Sequence, residues 1–139
     1  MRSRAVAGGY LVRLDRGEEV IETLTSFAAR HKIGCGFLQG IGAVENAEIG
    51  YFDLARKRYR RRTIAFVAEA VGFGGNISLL DGKPFIHAHI ILAGPDQKVT
   101  GGHLFSAAVA ITLEIYIRVI RGRLVRKHDP KTGFNFWQP

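Results

Sequence analysis

The stretch Phe85-Ile86-His87-Ala88-His89-Ile90-Ile91-Leu92, then Ala93-Gly94-Pro95-Asp96-Gln97, then Lys98-Val99-Thr100-Gly101-Gly102-His103-Leu104-Phe105 reads as two β-strands joined by a turn. Alternate side chains of a strand share a face, about 6–7 Å apart along the chain, so His87 and His89 point the same way. Folding the hairpin about Asp96 sets position 89 opposite position 103, and all three imidazoles then share that face. A slip of a single residue would turn His103 away, so the turn geometry decides the outcome.

Three neutral imidazoles on a rigid face suit a borderline divalent metal, zinc above all. They leave the fourth tetrahedral position to water, a substrate or another residue. Gly101 and Gly102 allow other groups to come close to His103. The spacing is looser than that of a paired Cys-x-x-Cys site. Partly buried histidines satisfied by backbone partners would produce the same pattern, and spacing alone leaves both readings open.

Outward from the hairpin, the chain reads as an α+β domain with a curved, mostly antiparallel sheet of about seven strands and one main helix. Residues 10–14 form an opening strand. Asp15 and Glu18 stand at capping-box spacing. Val20, Leu24, Phe27 and Ala28 mark an amphipathic helix over 18–32, acidic at its start, basic at its end, with Gly34 as a glycine cap. Strands follow over 36–41, 44–53, 63–71 and 76–80, the last ended by the turn Asp81-Gly82-Lys83-Pro84. Residues 112–120 alternate as a further strand, and a second helix could start near Ser106. Repeats and linkers are missing, so the expectation is one domain over 1–139, its core over about 9–120 and a basic tail over 121–139.

The composition supports a folded chain: 139 residues, 47% hydrophobic and 23% charged. The single Cys35 excludes an intrachain disulfide, and no apolar run is long enough for a membrane helix. The start has no secretory pattern, so the expected location is cytoplasmic, without membrane contact. Net charge is the extreme value. Twenty Lys and Arg against twelve Asp and Glu give +8, which attracts polyanions, nucleic acid first. Arg56, Lys57, Arg58, Arg60, Arg61 and Arg62 form a run broken only by Tyr59, read as a loop or hairpin tip and as the candidate nucleic-acid contact. A second basic group comprises Arg118, Arg121, Arg123, Arg126, Lys127 and Lys131.

Other features carry less. Glu69 and Glu114 lie in apolar strands, where each calls for a cationic or histidine partner. Cys35 reads as a buried thiol without a base. Gly72-x-Gly74-Gly75 precedes a strand rather than a helix, which is the wrong context for a phosphate loop. Arg121-Gly122-Arg123 has the core of an AT-hook, but Leu124 stands where that motif has proline.

Several stretches together resemble the PPC domain, conserved in plants and prokaryotes. They are Arg13-Leu14-Asp15-Arg16-Gly17-Glu18, Gly40-Ile41-Gly42-Ala43-Val44, Ile49-Gly50-Tyr51-Phe52-Asp53, Glu69, Asn76-Ile77-Ser78, the segment Asp81-Gly82-Lys83-Pro84-Phe85-Ile86-His87-Ala88-His89, and Gly101-Gly102-His103-Leu104. The resemblance implies an α+β fold, a homotrimer, DNA binding and, as in some prokaryotic members, a metal on His87, His89 and His103. The chain has no AT-hook and keeps only Glu69 of a plant segment tied to self-association. The leading expectation is a non-enzymatic metal-binding trimer that contacts DNA through its basic surface. The alternative is a zinc-dependent enzyme acting on a small substrate through metal-bound water, for which Glu69 or Glu114 would be the base. A third is a bare assembly module for a protein partner.

Overall fold

A computed structural model describes residues 1–138. The elements are β1 (Arg2–Val6), β2 (Gly9–Asp15), α1 (Val20–Arg30), β3 (Gly36–Asp53), β4 (Arg58–Ile64), β5 (Ala68–Leu80), β6 (Lys83–Ala93), β7 (Val99–Val119), β8 (Val125–Asp129) and β9 (Phe134–Gln138). Nine strands form a single sheet in the order β1-β2-β7-β3-β5-β8-β9, with β4 on β3 and β6 joined to both β5 and β7. The pairings β3–β5–β6–β7 therefore close on themselves. All are antiparallel except β5 with β8, which meet at Leu79 and Val125. The α+β class and the antiparallel character agree with the sequence reading, and the strand number rises from about seven to nine.

The extra strands have identifiable origins. Every residue of β1 is exposed, so it shows no alternation; it forms by pairing with β2, Arg2 opposite Arg13 and Val6 opposite Gly9. The expected basic tail is the β8–β9 hairpin, Val125 opposite Gln138 and Asp129 opposite Phe134. The two strands expected over 36–53 are a single β3, whose register shifts between Gly40 and Gly42 mark the break seen in sequence. No helix starts at Ser106. β7 runs straight through it for 21 residues, because Ala107, Val109 and Ala110 bury against the core from an extended backbone. The expected strand over 63–71 is interrupted at Ala65-Phe66-Val67 between β4 and β5. Arg58, Arg60, Arg61 and Arg62 belong to β4 itself, not to a hairpin tip.

Helix α1 packs Val20, Leu24, Phe27 and Ala28 on the sheet. The capping box is half realised: Glu18 Oε2 accepts from the Asp15 amide at 2.7 Å. Glu19 caps the helix, because the Asp15 carboxylate is taken by Arg13 and the N-terminal amine. At the other end Lys32, with φ 54°, takes the left-handed position assigned to Gly34. The amides of Lys32 and Ile33 return to the carbonyls of Ala29 and Ala28, closing the last turn.

Candidate metal centre

His89 of β6 pairs directly with His103 of β7, and Gly50 of β3 pairs with His103 on its other side. The turn that sets this register is closed by bonds between Gly94 and Lys98 and between Gly94 and Gln97, the latter with φ 60°. His87, two residues before His89, reaches the same face. The ring centroids lie 5.2 Å apart for His87 and His89, 5.1 Å for His87 and His103, and 5.5 Å for His89 and His103. Each ring offers a nitrogen within 4.8 Å of the others. The structure thus brings together all three sequence candidates.

The walls around the site were not legible beforehand. The ring of His103 packs against Tyr59, at 5.0 Å between centroids, and Phe105, at 4.7 Å. Gly50 makes this possible, since a Cβ there would lie 2.6 Å from Phe105 Cε2. Gly75 has a comparable role behind His87, where a Cβ would lie 2.3 Å from the His87 carbonyl oxygen. Arg61 stacks over Phe105 at 3.8 Å. On the other side Arg126, from β8, approaches His87 Nδ1 to 3.4 Å. In the sequence Arg126 stands out only as part of a basic group. The turn Pro130-Lys131-Thr132-Gly133 was the available signal that its segment folds back as a hairpin.

Burial pushes His87 down to about 4, helped by Arg126 and His89. Burial likewise holds His103 at about 4, helped by His87, His89 and Arg61. Both rings are therefore neutral at pH 7, the form whose lone pair binds a metal. His103 Nδ1 is buried without a hydrogen-bond partner among the described residues. A buried imidazole nitrogen without a partner, on a ring grouped with two further imidazoles, fits a divalent ion.

The remaining candidates lie elsewhere. Glu69 and Glu114 are exposed, on strand faces turned away from the core, and neither forms an ion pair among the described residues. Glu114 nonetheless lines the same open groove as His89, a cavity of about 1170 Å³. Cys35 is half-buried. In the basic run, Arg56 and Arg60 both bind the buried Asp53, at 2.9 and 2.7 Å, and Arg61 reaches Glu48 at 3.4 Å. Lys57, Arg58 and Arg62 pair with no carboxylate among the described residues.

The family model of the Plants and Prokaryotes Conserved domain matches residues 1–121. The chain belongs to the PPC family. A PPC protein of Pyrococcus horikoshii is 34% identical, with 94% of this chain and 90% of that one covered and a TM-score of 0.87. A metal-containing protein from Archaeoglobus fulgidus is 35% identical over 94% of this chain and 93% of its own, with a TM-score of 0.86. A candidate DNA-binding protein from Bacteroides thetaiotaomicron has a TM-score of 0.95 at 26% identity, covering 99% and 96%. No curated protein matches the chain. No helix among the described residues of this PPC domain is long and apolar enough to cross a membrane.

Proposed function

We propose that this PPC domain holds a divalent metal ion, zinc foremost, on His87, His89 and His103, and that it works as a homotrimer contacting DNA through charge. The observation that carries the metal reading is the three-histidine cluster, in which burial keeps His87 and His103 neutral and His103 Nδ1 has no hydrogen-bond partner among the described residues. A metal-containing relative at 35% identity supports it. When bound, the ion would supply Lewis acidity at an open coordination position. Tyr59 and Phe105 fix the ring of His103, and the β6–β7 ladder holds His89 opposite it. The test is the metal content of purified protein. The parent should carry about one equivalent, and the variant with His87, His89 and His103 all replaced by alanine should fold and carry none. Equal content in the two would sink the assignment.

The trimer is supported by an apolar groove on the open sheet face, lined by Leu11, Ile41, Val71, Ile91 and Tyr116, where Ile41 is 61% and Val71 53% exposed. Such a patch on a small domain calls for a partner surface. The DNA reading rests on the net charge and on two structural neighbours named as candidate DNA-binding proteins. A specific observation keeps the enzymatic alternative: Glu114 lines the same groove as His89 and is a carboxylate that could serve a small substrate there as base. Turnover of small esters or phosphoesters that disappears in Glu114→Gln, with metal content unchanged, would favour it.

A further inference from the structure

The β8–β9 hairpin lies beyond the residues matched by the family model, and it carries Arg126 into the histidine cluster. Four contacts fix the guanidinium. Nε donates to Ser78 Oγ at 2.7 Å, Nη1 to the Asn135 carbonyl at 2.8 Å and Nη2 to Asn76 Oδ1 at 2.8 Å. The same Nη2 lies 3.4 Å from His87 Nδ1. Ser78 is fully buried, and the rings of Phe85 and Trp137 lie 5.3 and 5.6 Å from Arg126 Cζ. This is a built-in cation, not a solvated surface charge.

Two consequences follow from its chemistry. Arginine has only donors and does not lose its proton, so the contact with His87 Nδ1 occupies that nitrogen's lone pair and leaves the ring proton on Nε2. His87 can join a metal only as this contact loosens. The fixed charge also opposes any divalent ion on the rings, and Arg61 beside His103 adds to it. No carboxylate belongs to the cluster among the described residues. An ion held by neutral imidazoles next to guanidinium groups carries uncompensated positive charge, which an oxyanion in the open position would offset. Of the five N–H groups of Arg126 these contacts leave one, on Nη1, without a partner among the described residues.

We propose, resting on the metal reading above, that Arg126 makes the three-histidine cluster a joint site for a divalent ion and a small carboxylate, and disfavours the bare ion. The prediction is a reciprocal coupling between the two ligands. Cobalt(II), whose visible spectrum reports coordination, is titrated into the metal-free full chain in acetate or in acetamide, its neutral counterpart, with ionic strength held by perchlorate. Acetate should tighten cobalt binding to the parent by about fivefold or more, and acetamide should not. In Arg126→Met, cobalt alone should bind more tightly than to the parent and the acetate effect should vanish. Arg126→Lys, which keeps the charge without the fixed fork, should retain a reduced effect, and it serves as the comparison if the Met variant does not fold. No acetate effect in the parent, or an equal effect in parent and variants, overturns the proposal while the metal reading stands. No cobalt binding to parent or variants overturns both.

Discussion

His87 and His103 make acid a specific stress on the metal-free protein. Each is held near 4 by burial, whereas an unfolded chain titrates a histidine near 6.5. The folded state therefore binds fewer protons than the unfolded state across that interval. The stabilisation is present above about pH 6.5 and is lost as pH falls from there toward 4. Melting temperatures of the metal-free protein should decline between about pH 6.5 and 5, before ordinary carboxylates titrate. A variant with His87→Asn and His103→Gln should lose most of that slope. If parent and variant decline together, the sensitivity belongs to other groups.

At the scale of elements, the end of α1 shows where local chemistry is imperfect. Lys32 adopts φ 54°, which costs an L-residue roughly 1–2 kcal/mol, and its side chain is exposed. Glycine adopts the same conformation without that cost but loses more freedom on folding. The net expectation for Lys32→Gly is a gain of about 0.5–1 kcal/mol, seen as a melting temperature raised by about 2–4 °C. An unchanged or lower value would mean that the Lys32 side chain contributes more than its backbone strain removes. The helix itself was readable because Val20, Leu24, Phe27 and Ala28 repeat at helical spacing. Its cap was not, because glycine preference pointed to Gly34 while the bonds from Lys32 and Ile33 end the helix earlier.

For the whole molecule, the basic surface is smaller than the run suggests. Asp53 and Glu48 occupy Arg56, Arg60 and Arg61, which leaves Lys57, Arg58 and Arg62 as the cations of that run without a carboxylate among the described residues. If those three touch phosphates, the slope of log affinity against log salt should be about −2.7 per subunit, and binding should be indifferent to sequence. Arg58→Gln with Arg62→Gln should flatten the slope by about 1.8 without unfolding the domain. Arg60→Gln differs, since it removes a partner of buried Asp53 and should lower stability as well. An unchanged slope in the double variant would move the contact to another face. The assembly is tested by light scattering at micromolar concentration, which should return three chain masses. A monomer mass would reject the trimer. Ile49, Ile77, Ile115 and Ile117 of the strands are buried within the chain itself. Leu11, Ile41, Val71 and Ile91 remain exposed for a partner.

The amino-acid sequence alone determined the parts governed by short-range periodicity. The two-residue repeat of a strand put His87 and His89 on one face, and the turn after Leu92 set His89 against His103, as the ladder has it. The helix and the excess of positive charge were equally local facts. Only the tertiary structure decided what surrounds the rings. Tyr59, Phe105 and Gly50 meet at His103 because β3 pairs with both β4 and β7. Arg126 meets His87 because β8 returns along β5, 39 residues later in the chain. Which sheet edge a strand joins is set by packing between segments distant in sequence, and a side-chain pattern of period two is the same on every edge. The same reason hid β1, whose residues are all exposed and whose place is fixed by its neighbour β2.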